Sequence, residues 1–159
     1  PVADGLMMSC SVTGYIQPSL QQLYSALEFE YNQPKGTYEV TPDLSYLAEQ
    51  GVLLLNAALT TEKNKAGSHI EIWEPFIKYL FDNILVPLGV PVVFLGKDAA
   101  KYQKYMGIFS HSFVVSHPAS AAYKGADWDS EGVFNKLDKL LMQNNGFSVG
   151  WLKNAEVPF

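Results

Sequence analysis

Short apolar runs alternate along the chain with segments whose apolar residues recur at helical spacing. Three runs have the length of buried parallel strands, and each is followed by a polar or small residue: 52–55, 92–95 and 113–115. Helices are predicted between and after them. Residues 19–22 and 68–71 each fit a capping box at a helix start. The apolar positions from 70 to 84 follow helical periodicity, and further helices are predicted over 98–106 and 129–142.

This order of elements is typical of an α/β domain with a central parallel sheet. We therefore predict a three-layer sandwich with helices on both faces of the sheet and residues 1–159 in a single domain. In such sheets, ligands bind beyond the carboxyl ends of the strands. That rule indicates three places for a site: Asn56, Gly96 with Lys97, and the Ser-His-Pro segment at 116–118.

Composition excludes several classes of protein. Hydrophobic residues make up 48% of the chain and charged residues 17%, which is ordinary for a folded domain. The single cysteine, Cys10, excludes a multi-cysteine metal site or an internal disulfide framework, and it favours a reducing cytosol. No apolar run reaches the roughly 18 residues that cross a bilayer, so we expect no membrane partner.

The net charge of −5 at pH 7 is unfavourable for binding nucleic acid, because affinity for DNA comes mainly from neutralised phosphates. The lysines nevertheless cluster, whereas the acids lie mostly elsewhere: Lys63, Lys65, Lys97, Lys101, Lys104 and Lys124. Charge alone favours a mixed solvated surface.

Two side chains at predicted strand ends are suited to chemistry. The amide of Asn56 has one acceptor and two donors, so it can pair with an imide edge, or it can cap the following turn. Pro118 fixes the backbone after His117. The His117 imidazole can donate a hydrogen bond to negative charge on a leaving group, or it can be a buried structural histidine.

Several motifs together resemble the uracil-DNA glycosylase family. Gly-Val-Leu-Leu-Leu-Asn-Ala-Ala-Leu-Thr at 51–60, Ala-Gly-Ser-His at 66–69 and Trp-Glu at 73–74 are similar to the family's LLLN, ANSH and WE segments. The other matches follow the family's order and spacing: Gly-Leu-Met-Met-Ser at 5–9, Gln-Pro-Ser-Leu at 17–20, Phe-Leu-Gly-Lys at 94–97, and Ser-His-Pro at 116–118, which resembles HPSPLS. The resemblance runs from about residue 2 to about residue 142.

The resemblance implies an enzyme that hydrolyses the N-glycosidic bond of deoxyuridine in DNA by base flipping, the first step of base-excision repair. Asn56 would read the uracil edge and reject cytosine. His117 would hydrogen-bond a uracil oxygen and stabilise the departing anion. Met8 stands where the family has a phenylalanine that stacks on uracil, and a core methionine is an equal alternative.

The resemblance also implies contacts with DNA. Pro18 and Ser19 would grip the backbone, and Gly96 with Lys97 would contact phosphate. The segment that enters the minor groove would include Ser120, Ala121 and Tyr123; it is one residue short and lacks the wedge leucine, so Ala121 penetrates less or Tyr123 substitutes. No metal or cofactor is implied. The expected partners are uracil-containing DNA, single- or double-stranded, and a protein inhibitor; we expect a monomer, cytoplasmic or, in a eukaryote, nuclear.

The family's first motif, GQDPYH, which carries the catalytic aspartate, is not among these residues, and Asp4 aligns with a different position. The family's sheet has four parallel strands, of which three are found here. Loss of an interior strand would leave unpaired backbone groups at about 1–3 kcal/mol each. We therefore expect an excerpt of a longer chain, or one fragment of a nicked protein.

Two other hypotheses stay open. The chain could be a catalytically impaired, glycosylase-like DNA-binding or replication-scaffold protein, since the aspartate motif is missing. It could also be an α/β domain in which every motif is core or cap.

Overall fold

The computed structural model describes residues 3–108 and 110–155. The chain divides into two compact units, the first comprising Pro1–Leu55 and Ser116–Phe159 and the second Asn56–Val115. The prediction of one domain over residues 1–159 stays a prediction.

The first unit is built on helix α1, Pro18–Tyr31, which begins at a proline because its fixed φ and missing N–H suit the first helical position. One face of α1 is buried: Leu20, Leu23, Tyr24, Ala26 and Leu27. The helix contacts α6, Pro118–Lys124, and α7, Val133–Asn145. The unit also contains the short helix α2, Ser45–Ala48, and an antiparallel pair formed by β1, Tyr38–Glu39, and β4, Lys153–Asn154.

The second unit contains a parallel pair formed by β2, Val92–Leu95, and β3, Ser112–Val115. Helix α3, Ile70–Leu80, continues through a π-helical turn, Phe81–Leu85, into α4, Val86–Leu88. After β2, helix α5, Gly96–Ala100, tightens into a 3-10 turn, Lys101–Tyr105. The core of this unit includes Phe81 stacked on Phe94, with ring centroids 6.0 Å apart.

The α/β class is confirmed, as are the strands predicted at 92–95 and 113–115. The strand predicted at 52–55 is wrong. A strand forms only where a neighbouring backbone can exchange hydrogen bonds with it. Val52 N instead donates to Leu47 O and Leu54 O accepts from Met7 N, both at 3.1 Å. Over residues 3–108 and 110–155 the parallel sheet therefore has two strands, not three.

Both predicted capping boxes are wrong. Helix α1 begins one residue before Ser19, so Ser19 is not its N-cap, and Gln22 Oε1 accepts a hydrogen bond from Trp128 N at 2.7 Å. Helix α3 begins two residues after Ser68, whose hydroxyl accepts from Glu62 N at 2.8 Å. In each box, one of the two residues that would form the box hydrogen-bonds elsewhere instead: Gln22 with Trp128, and Ser68 with Glu62.

The helix predicted over 98–106 is confirmed as α5 with its 3-10 turn, and it starts earlier, at Gly96. The helix predicted over 129–142 begins later, because Glu131 and Gly132 have φ values of 55° and 69°, which a right-handed helix does not contain. In the part of the chain that the structure describes, no helix has the length and apolarity to traverse a bilayer.

Glu30 ties the end of α1 to the start of α7. Its carboxylate accepts hydrogen bonds from the buried Ser130 hydroxyl and from Asn135 N, the latter at 2.9 Å. We predict that Glu30→Ala lowers the free energy of unfolding by about 1–3 kcal/mol, because these donors lose their acceptor. Urea denaturation measures the loss. The control Glu49→Ala, at an exposed glutamate, should stay within about 0.5 kcal/mol of the wild type, and equal losses in the two variants would contradict the prediction.

Candidate functional site

His117 is the N-cap of α6 and is half-buried. Its Nδ1 accepts a hydrogen bond from Ala119 N at 3.1 Å. A ring nitrogen that accepts carries no proton, so the proton of the neutral imidazole is on Nε2. His117 therefore keeps one N–H donor on the edge of the ring that does not cap the helix.

Burial lowers the pKa of His117 below its ordinary value, because desolvation disfavours the charged imidazolium. The contact with Ala119 favours the neutral ring as well, since a protonated Nδ1 cannot accept. A neutral donor of this kind can stabilise an oxygen on which negative charge develops as a bond breaks.

Trp128 holds the backbone immediately before His117. Its buried indole Nε1 donates to Ser116 O at 2.9 Å and lies 3.0 Å from Ser116 Oγ. Its own backbone N–H is fastened to Gln22 of α1. No motif in the sequence singles out Trp128; the one signal it carries is that a buried indole N–H requires a partner.

Residues 119–123, predicted as a groove-entering loop, are helical and lie within α6. A proline at the first helical position and three alanines among 119–122 favour this helix. The Ser120 hydroxyl donates to His117 O at 2.6 Å. Ala121 is half-buried, whereas the Tyr123 side chain is 92% exposed near the end of the helix.

Met8 is half-buried and has a φ of 65°, in the left-handed region that few non-glycine residues adopt. The turn around it is closed by a hydrogen bond from Ser9 N to Leu6 O at 3.2 Å. Pro18 and Ser19, in the first turn of α1, belong to the same unit.

Asn56 is exposed and is the first residue of the second unit. The segment before it is not a strand, so the prediction that a strand end holds Asn56 is wrong. No hydrogen bond to its amide comes from 57–108 or 110–115, the described remainder of its unit. Its neighbour Ala57 is anchored, because Ala57 O accepts from Tyr102 Oη at 3.4 Å.

Thr60, His69 and Trp73, which belong to the family-like motifs, form hydrogen bonds with one another next to the loop that follows Asn56. Thr60 Oγ1 accepts a hydrogen bond from Trp73 Nε1 and lies against His69 Nδ1, both at 2.8 Å. His69 is therefore part of a structural network.

Gly96 and Lys97 form the first turn of α5. Gly96 has a φ of 86°, which glycine adopts without strain. Lys97 is exposed and has no ion pair within the described residues of its unit, whereas Lys101 and Lys104 are paired with acids.

A family model described as the Uracil DNA glycosylase superfamily matches residues 10–139. The chain belongs to this superfamily. The uracil-DNA glycosylase of Pseudomonas aeruginosa (strain UCBPP-PA14) is 36% identical over 157 residues, covering 94% of this chain and 64% of its own length. That of Leuconostoc citreum is 32% identical over 156 residues, covering 95% of this chain and 68% of its own. The chain thus spans 64% of the length of the Pseudomonas glycosylase.

Two solved structures share the fold. They are mimivirus UNG variants in complex with UGI, with TM-scores of 0.75 and 0.70 at 23% identity. Each match covers 95% of this chain and 62% of the mimivirus chain. The glycosylase fold of the superfamily is therefore the fold of this chain.

We predict that acid destabilises this glycosylase-family chain through His117. The pKa of His117 is lower in the folded chain than its ordinary value of 6.5. Between these two pKa values the unfolded chain binds more protons than the folded chain, so the free energy of unfolding decreases as the pH decreases through this range. His117→Asn keeps an acceptor for Ala119 N–H and removes the titration. In urea denaturation, the wild type should therefore lose stability relative to His117→Asn as the pH falls through the ordinary pKa of histidine, about 6.5. A difference that does not depend on pH would contradict this.

Proposed function

We propose that this chain is the uracil-recognising part of a uracil-DNA glycosylase, which hydrolyses the N-glycosidic bond of deoxyuridine to begin base-excision repair. The observation that carries the proposal is the state of His117. Its Nδ1 is committed to Ala119, so a neutral Nε2–H donor is left for a uracil oxygen that gains charge. The relatives from Pseudomonas and Leuconostoc bear the name uracil-DNA glycosylase, which supports the proposal. The bond is inaccessible in a stacked duplex, so the base is flipped out.

Asn56 reads the flipped base in this proposal. An amide held in one orientation accepts from the imide N–H of uracil and donates to the adjacent carbonyl. Cytosine would meet the same amide with acceptor against acceptor and donor against donor. Two observations support this role: the Asn56 amide is exposed and has no hydrogen bond within residues 57–108 and 110–115, and the neighbouring Ala57 carbonyl is anchored by Tyr102. Met8, a polarizable side chain, lies against the face of the base.

Loss of either group should abolish efficient catalysis. We predict that, in the full-length glycosylase, His117→Ala reduces uracil release about 100- to 1000-fold, the cost of removing one donor to a developing anion, with a comparable loss for Asn56→Ala. Uracil released from a single-stranded oligonucleotide with one deoxyuridine is the measured quantity. The control His111→Ala, at an exposed histidine, should release uracil at the wild-type rate. Unchanged release in both site variants removes the hypothesis.

In this proposal the residues that contact DNA are Pro18, Ser19, Gly96, Lys97, Ser120, Ala121 and Tyr123. Lys97 supports it as an exposed cation with no ion pair among the described residues of its unit. Tyr123 is 92% exposed beside Lys124, and Ala121 is half-buried. Tyr123 is therefore the better candidate to stack in the space that the flipped base leaves.

Removal of this aromatic ring should weaken DNA binding. We predict that Tyr123→Ala raises the Kd for uracil-containing DNA about 5- to 160-fold, equivalent to one base–aromatic stack of about 1–3 kcal/mol. Duplex DNA should show the larger change, because a single strand leaves no gap to fill. Fluorescence anisotropy measures both. Tyr79→Ala, at another exposed tyrosine, is the matched control, and equal affinities for the two variants would count against the role of Tyr123.

The second candidate function is a DNA-binding protein of the same superfamily without catalysis. The 159 residues contain no Gly-Gln-Asp-Pro-Tyr-His motif. Asp4 aligns with a different position, and its carboxylate accepts hydrogen bonds from residues 6–11. Selective binding of uracil-containing DNA without release of uracil would establish this candidate over the first.

A protein inhibitor is a further proposed partner. The mimivirus UNG variants are in complex with UGI, which supports a proteinaceous inhibitor for this chain. Co-elution with UGI in size-exclusion chromatography tests it. The monomeric state and the cytoplasmic or nuclear location stay predictions.

A further inference from the structure

Met8 holds a backbone conformation that methionine rarely adopts, with a φ of 65°. A non-glycine residue stays in the left-handed region only where its surroundings determine it, and such residues concentrate at active sites and ligand clamps. The proposed function uses the side chain of Met8.

The Asp4 carboxylate accepts hydrogen bonds from residues on both sides of Met8. Its Oδ2 accepts hydrogen bonds from Ser9 Oγ at 2.7 Å and from Ser11 N and Ser11 Oγ, both at 2.8 Å. Its Oδ1 accepts from Leu6 N at 3.2 Å. Because Leu6 precedes Met8 whereas Ser9 and Ser11 follow it, one carboxylate closes the loop around the methionine.

The carboxylate is charged at neutral pH. Desolvation raises the pKa of the Asp4 carboxyl, but the hydrogen bonds from Ser9, Ser11 and Leu6 outweigh it and hold the pKa below its ordinary value. The loop is thus closed by charge-assisted hydrogen bonds, which are stronger than neutral ones.

The closed loop is fastened to residues 42–44 of the same unit. The Ser9 hydroxyl accepts from Leu44 N at 3.2 Å, and Cys10 N donates to Pro42 O at 2.8 Å. The Cys10 thiol lies 3.6 Å from Met8 O. The backbone next to Met8 is therefore fixed, while the Met8 side chain stays half-exposed.

We propose that Asp4 is a positioning residue for uracil recognition: it fixes the backbone of Met8 so that the methionine side chain lies against the flipped base. The inference rests on the proposed function, in which Met8 contacts uracil. Asparagine cannot replace Asp4, because one carboxylate oxygen faces Leu6 N–H and the other faces Ser11 N–H. An amide would turn its NH2 group toward one of these donors.

Asp4→Asn tests the inference, with Asp129→Asn as the matched control. Asp129 is an exposed aspartate whose carboxylate accepts a hydrogen bond from Glu131 N. The measured quantity is the ratio of affinities for a single strand with one deoxyuridine and for the same strand with deoxycytidine, which Asn56 rejects in the proposed function. Asp4→Asn should lower this ratio about tenfold, within the range for coupled neighbours, and Asp129→Asn should keep it.

A spectroscopic measurement distinguishes loss of the Met8 position from a general loss of stability in Asp4→Asn. With 13C-methyl methionine, the Met8 resonance, assigned through Met8→Ala, should shift when free uracil is added to the wild type and to Asp129→Asn. In Asp4→Asn the shift should be lost at a temperature where denaturation shows the variant to be folded. If Asp4→Asn does not fold, Ser11→Ala removes one hydroxyl donor, keeps the carboxylate and should give an approximately twofold loss in the same direction.

A double-mutant cycle tests whether Asp4 acts on uracil binding through Met8. In the Met8→Ala background, Asp4→Asn should change the affinity ratio by less than about twofold, because the group that it positions is gone. An undiminished effect in that background, or an Asp4→Asn chain that keeps the wild-type ratio, would overturn the inference. A wild-type chain with no preference for deoxyuridine would instead overturn the proposed function, before any Asp4 variant is compared.

Discussion

The hydrogen bonds of the Trp128 indole are the constraint on which the His117 region depends. They fix Ser116, one residue before the histidine, and the Trp128 backbone is itself fastened to Gln22 on α1. Helix α6 then begins at Pro118, with the imidazole as its cap. A donor to a reacting oxygen must be held in place before the reaction, because a mobile group loses its electrostatic advantage. One buried aromatic side chain provides that restraint from the hydrophobic core.

Features that are encoded locally could be predicted from the sequence. The apolar run at 92–95 pairs with the next run along its own unit, so its strand forms as the pattern indicates. The periodicity over 70–84 gives α3 and its π-helical continuation, in which Ile77 and Phe81 are the buried residues. The helix that begins at Pro118 was predicted as a loop, although a proline at its first position and the alanines after it favour a helix locally.

Features that depend on distant partners could not be predicted. Residues 52–55 are as apolar as 92–95, yet they form no strand, since a strand exists only with a neighbour. Gln22 fits a capping box but bonds Trp128, 106 residues away. The left-handed backbone of Met8 could not be predicted, because methionine is uncommon in that conformation. Asp4, whose carboxylate accepts a hydrogen bond from Ser9 beside Met8, lies outside every motif.

The two ring nitrogens of His117 have separate roles. Nδ1 caps the start of α6, and Nε2–H is a hydrogen-bond donor that the cap does not use. An asparagine retains the first role and lacks the second, and a single nucleotide change converts a histidine codon into an asparagine codon. In the proposed glycosylase, such a substitution would remove the donor and keep the cap that starts α6, so that an inactive protein with the same fold could persist in a lineage.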